Sequence, residues 1–173
     1  MKKYLYLISF FFAILFSACS DQANKNPEID FESITTSLNW GMSQDSVNKV
    51  LTEKFLFDSK KVLEQENINL KVFEYKGGNL YNINSDKWIT MFREDSLSAL
   101  SLNFLFESKN ENEKAYKLIS QQLDKIGVRD SIQVEGEKRW LLNSGSKSET
   151  GILLTIYEKN FMILLYPKPE IIF

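Results

Sequence analysis

From Leu56 onward the pattern changes to period two for about fifty residues, and this alternation limits the fold more than anything else in the chain. Successive side chains of a strand point to opposite faces, so such a run must pair into a sheet with one face covered. Residues 97–107 carry the pattern most clearly. Leu100, Leu102, Phe104 and Phe106 point one way, and Ser101, Asn103 and Glu107 the other, with Leu105 the exception. One buried face and one wetter face are expected. Further strands are read at 70–75 and 88–93, with a short one at 80–83. Turns are read at Lys76-Gly77-Gly78-Asn79 and Glu94-Asp95-Ser96.

Two helices interrupt the strands. Ser43 is a good N-cap and Asp45 suits the positive helix end. Met42 and Val47 occupy the hydrophobic-staple positions, and Val47, Val50 and Leu51 share one apolar face. This helix should end near Phe55. The second has Glu111 and Glu113 in its first turn and Tyr116, Ile119, Leu123 and Ile126 as its stripe. Lys125 lies in its last turn, and Gly127 fits a left-handed cap that would let Val128 pack back on Leu123. A second strand meander follows at 138–142, 151–157 and 161–166, with a polar loop at 143–150 and a tight turn at 158–160. Pro167 and Pro169 end the last strand. The order is helix–strands–helix–strands, and the connections are short. The expectation is an α+β fold, two helices packed on a largely antiparallel sheet. The order allows a duplicated helix-plus-meander unit, though no residue-level self-similarity supports one.

Ahead of this domain, Lys2 and Lys3 precede an apolar run from Leu5 to Phe16, and small residues Ser17 and Ala18 precede Cys19, the only cysteine. These are the three parts of a secretory signal. The run is shorter than the roughly 20 apolar residues that cross a bilayer. Ordinary cleavage wants a small residue where bulky Phe16 stands. Phe16-Ser17-Ala18-Cys19 resembles the lipobox of bacterial lipoprotein signals, with Phe16 where Leu is usual. The resemblance implies cleavage between Ala18 and Cys19, acylation of Cys19 and a membrane anchor. The expected division is then 1–18 signal peptide, 19–30 lipidated flexible tether and 31–173 one α+β domain. The expected location is the cell envelope, facing the periplasm.

Composition removes several chemistries. Loss of Lys2 and Lys3 takes the basic count from 21 to 19 against 23 acidic residues, so the mature charge is about −4. Acids and bases are interspersed with no basic stripe, which argues against a nucleic-acid partner. The chain has no histidine, and with Cys19 modified it has no thiol. Ser-His and Cys-His dyads and histidine or cysteine metal sites are therefore absent. No metal or cofactor is expected. Ser46 to Lys49 and Ser144 to Lys147 have the Ser-x-x-Lys spacing but lack its partner motifs. Asn82-x-Asn84-x-Asp86 begins like a calcium loop, then places Lys87 at the glycine position and Arg93 at the glutamate position. Glu135 and Glu137 flank Gly136 and read as a solvated pair.

Gly41-Met42-Ser43-x-x-x-Val47 resembles the start of the first helix in SmpA/OmlA-type lipoproteins, and also the β-lactamase-inhibitor-like modules. These groups act largely through protein contact. The chain departs after Leu51, where Thr52-Glu53-Lys54 replaces the usual Gly-x-Pro. What the resemblance implies is an adaptor or inhibitor rather than an enzyme, with an envelope protein as partner. Trp40, Trp88, Trp140 and the terminal Phe173 are candidate partner-binding residues, because Trp and large apolar groups anchor interfaces. A lipid- or small-molecule-binding protein with an aromatic-lined concave sheet is the alternative, which a large dry pocket would favour. A carboxylate-only glycosidase is the third reading and needs two acids facing each other across a cleft.

Overall fold

The computed structural model describes residues 28–65, 69–130, 135–142 and 149–168. The described chain begins with β1 (Glu28–Ile29), α1 (Phe31–Ser37) and α2 (Gln44–Lys49), whose last turn widens into a π-helical turn at Val50–Lys54. Strands β2 (Asp58–Gln65), β3 (Leu70–Lys76), β4 (Asn79–Leu80), β5 (Ile83–Asn84), β6 (Lys87–Arg93) and β7 (Ser96–Leu105) follow. Helix α3 (Lys109–Ile126) then leads into β8 (Val128–Arg129), β9 (Glu137–Leu142), β10 (Thr150–Ile156) and β11 (Asn160–Pro167).

The class is α+β, with three helices among the described residues rather than the two expected. Helix α1 is the addition. Asp30 Oδ1 caps it by accepting from Ser33 N at 2.7 Å, and Phe31 and Ile34 are buried beneath it. Its Thr and Ser content gives weak intrinsic propensity, and the Thr35 and Thr36 hydroxyls back-bond to Phe31 and Glu32 carbonyls. Tertiary burial holds a helix this short, so local pattern understates it. The fold also starts before residue 31. Glu28 and Ile29 pair in parallel with Asn79 and Leu80, and Ile29 is buried, so these residues belong to the domain and not to a tether.

Eight strands form one antiparallel sheet in the order β2-β3-β6-β7-β11-β10-β9-β8. Each half gives the large sheet four strands after a helix, β2, β3, β6 and β7 after α2 and β8 to β11 after α3, and the last strands of the halves, β7 and β11, pair at the centre. The short strand expected at 80–83 is instead a hairpin of β4 and β5. Tyr81 and Asn82 turn it with φ of 51° and 63°, the left-handed conformation that two-residue hairpin turns require. Gly127 also departs from expectation. Its backbone is extended, and a Cβ there would lie 2.8 Å from Leu142 Cδ2. The glycine is thus used for close approach of the helix end to β9. The chain leaves directly into β8, so Ile126 and Val128 are exposed instead of packing back.

One face of the sheet carries the core. Cross-strand neighbours Tyr75, Trp88, Leu102, Ile163 and Leu154 form a row through five strands. The adjoining row includes Leu100, Leu165, Ile152 and Trp140. All three helices pack on this side. Val47 and Leu51 of α2 are buried there, and Phe55 and Phe57 bracket Trp88 at centroid distances of 6.2 and 4.8 Å. From α3, Ile119 and Leu123 are buried, and Tyr116 meets Phe161 edge-on. Ser108 caps α3: its Oγ accepts from Glu111 N at 3.3 Å and donates to Glu111 Oε2 at 3.1 Å.

Candidate functional site

The other face of the sheet is left bare by the described elements, and it is not the polar surface that alternation predicts. Val72 and Met91 pair, Met91 pairs with Ala99, and across the central seam Tyr166, Gly151 and Leu141 continue the row. The next row reads Glu74, Ile89, Ser101, Leu164, Leu153 and Arg139. A third reads Lys87, Asn103, Met162, Thr155 and Glu137. The middle of this face is therefore aliphatic, with two methionines able to adapt to an opposing surface. Ile89, Met91, Leu153, Met162 and Leu164 are only half-buried, shielded by their own strand neighbours. Ser101, in the centre, is buried and accepts from Asn103 Nδ2 at 3.2 Å.

Two features shape the face. Tyr166 lies flat over Gly151: a Cβ on that glycine would sit 2.4 Å from Tyr166 Cζ. Only glycine lets the ring settle there, as an aromatic covering a backbone gap in a sheet. The rim charges are mutually paired, Lys87 with Glu74 at 3.5 Å and Arg139 with Glu137 at 3.3 Å. The apolar centre is thus flanked by ion pairs that nearly cancel.

At one end the face deepens into a groove of about 380 Å³ between Asp86, Lys87, Asn103, Leu105, Tyr157 and Met162. Leu105 is 64% and Tyr157 55% exposed, so two large apolar side chains stand in solvent on the same groove. The wall at 157–160 is fixed from below by Asn112. This fully buried asparagine donates through Nδ2 to the carbonyls of Tyr157 at 2.8 Å and Asn160 at 3.2 Å, with Glu158 O at 3.4 Å.

On the helix side, Lys138 reaches Ser120 Oγ at 3.0 Å and lies 4.9 Å from the Tyr116 ring centroid. Burial holds its ammonium pKa below the ordinary lysine value, and the Arg129 charge adds to this while Asp124 opposes it. A serine beside such an amine has the makings of an activated nucleophile. Ser120 is only 4% exposed between α3 and the sheet, however, so a substrate has no approach. The contact serves the packing.

The residues singled out by sequence are dispersed. Trp88 and Trp140 are fully buried, and each ring nitrogen has an internal partner: Ser85 Oγ at 2.9 Å for Trp88, Asp124 Oδ1 at 2.9 Å for Trp140. Neither offers a partner any surface, because a sheet packed under helices draws its largest rings inward. Trp40 is half-buried and donates to Thr150 Oγ1 at 3.0 Å, tying the chain ahead of α2 to the other half of the sheet. Ala18, Cys19 and Phe173 lie outside the described residues, as do Ser144 and Lys147. Ser46 Oγ is bonded to Ser43 Oγ within the α2 cap rather than to Lys49. Glu137 is held by Arg139, and Glu135 is exposed.

The aliphatic face did leave a signal in the sequence. Ile152-Leu153-Leu154 and Phe161-Met162-Ile163-Leu164-Leu165-Tyr166 are apolar at both parities, as is Trp88-Ile89-Thr90-Met91-Phe92 apart from Thr90. Unbroken apolar strands are characteristic of sheets covered on both sides. Among the described residues, no cluster of acidic or sulfur groups is placed to hold a metal, and no helix is long and apolar enough to cross a membrane. The chain matches no family model, no curated protein and no solved structure.

Proposed function

We propose that this chain is a lipid-anchored protein of the bacterial cell envelope that works by binding another protein through the bare face of its sheet. One observation carries the reading. Central strands rich in apolar residues on both sides are covered by the described helices on one side only, which leaves Ile89 and Met91 on one side of Ala99 and Ser101, and Leu153, Met162 and Leu164 on the other, as aliphatic groups on the same face. Contiguous apolar patches on soluble domains mark interaction sites, and a depleted-charge centre with a polar rim is the anatomy of a protein interface. The face is broad and open, which suits a protein surface better than a buried small molecule. The role is adaptor or inhibitor, not catalyst. Acylated Cys19 supplies the anchor, and residues following it span the distance to the domain.

The two halves are copies of one helix-plus-four-strand unit. Support comes from the mirrored sheet order and from the helix starts. Ser43 and Ser108 are both side-chain N-caps, and each is followed four residues later by a fully buried side chain, Val47 and Asn112.

The test is site-specific photo-crosslinking in intact cells. A benzophenone side chain at Ile89 or Leu164 should yield one discrete protein adduct. The same group at Lys117, exposed on α3, should yield none. Cys19→Ala should release the chain from membranes and reduce the adduct. Equal adducts from both surfaces, or none from the sheet face, would sink the binding role. Unchanged membrane retention of Cys19→Ala would sink the anchor.

A further inference from the structure

The groove at the end of the sheet face has a mixed lining. Leu105, Met162 and Tyr157 are apolar members, and Asp86 and Asn103 carry acceptors. Asp86 is exposed and has no ion pair among the described residues, and Asn103 gives one Nδ2 hydrogen to Ser101 while its Oδ1 has no partner among the described residues. Among the described residues that line it, Lys87 is the one cation, and it is paired with Glu74. An acceptor-lined, apolar-walled groove selects a side chain with an aliphatic stem and a donor-rich cationic head. Arginine meets this best, since its stem packs on apolar surface and its planar guanidinium both stacks on aromatic faces and bonds carboxylates.

We propose that this groove receives one arginine side chain of the partner protein, its guanidinium on Asp86 and Asn103 Oδ1 and its stem against Leu105, Met162 and Tyr157. This rests on the reading of the sheet face as a protein-binding surface, and it names what the partner must present there. Asn112 acts as a positioning residue, since it fixes the turn that carries Tyr157. Arginine is among the residues most enriched at binding hot spots, and a stacked, half-desolvated guanidinium gains from both contacts.

The test is a titration of the full-length chain in detergent micelles, followed by amide chemical shifts. The probes are N-acetyl-arginine methylamide and its uncharged isostere N-acetyl-citrulline methylamide. Saturable shifts are expected at Asp86, Asn103, Leu105 and Met162 for the arginine probe, with citrulline about fivefold weaker, the scale of one exposed charge pair. Asp86→Asn, an exposed substitution that leaves the core untouched, should reduce arginine binding to the citrulline level. Tyr157→Leu should weaken both probes. Equal binding of the two probes, shifts outside the groove, or no saturable shift would overturn the proposal. Because the face crosslinks of Ile89 and Leu164 do not involve the groove, their persistence alongside a negative titration would reject the arginine site alone. Their loss would reject the docking face as well.

Discussion

Replacing Asn112 by alanine tests the central claim about how the groove is built. The carboxamide is fully buried, and its Nδ2 makes two good hydrogen bonds, to Tyr157 O and Asn160 O, with Glu158 O sharing a third at longer range. Each such bond contributes about 1 kcal/mol net, so about 2 kcal/mol is lost. Asn160 O keeps its bond from Tyr157 N at 2.8 Å, and the turn is exposed, so water can reach the freed carbonyls and no large desolvation penalty is added. Alanine also returns about 0.6 kcal/mol of helix propensity and relieves Asn112 Oδ1, which has no hydrogen-bond partner among the described residues. The expected net cost is about 1–1.5 kcal/mol. Equilibrium urea unfolding, monitored by the buried Trp88 and Trp140, measures it directly. The same variant should broaden or shift the amide signals of residues 157–160 while leaving those of β3 and β6 in place. A change under about 0.5 kcal/mol with an unaltered turn would refute the idea that this amide holds the groove wall.

Other perturbations probe the face and the helix layer. Gly151→Ala forces the Tyr166 ring off the strand and should cost about 1–2 kcal/mol, a cost that Tyr166→Ala should largely abolish. A thermal-melt double-mutant cycle checks this; additivity of the two changes would contradict the ring-over-glycine contact. Lys138→Met removes a lysine that the fold holds below its ordinary pKa. In the wild type the unfolded state keeps this proton at pH values where the folded state has released it, so stability rises with pH through the window just below the ordinary lysine pKa of 10.5. The substitution should flatten that rise and raise stability at neutral pH, read from urea midpoints across pH.

Strand periodicity, helix caps and turn chemistry were legible along the chain because each is local. Ser43, Ser108 and the alternation of Leu100, Leu102 and Phe104 act over a few residues, so they needed no knowledge of the rest. Helix α1 was hidden because weak Ser/Thr propensity is overridden by burial of Phe31 and Ile34, a tertiary event. Tryptophan is ambiguous in sequence between core and interface, and only the placement of helices over Trp88 and Trp140 decided for the core. The groove joins residues as far apart as Asp86 and Met162 through the pairing of β7 with β11 at the seam. By itself the sequence determined an antiparallel α+β domain behind a signal-like N-terminal segment, because backbone and side-chain periodicity are properties of neighbours. The tertiary structure alone decided which apolar strand faces are covered. Coverage depends on where the helices lie, and all the described ones lie on one side.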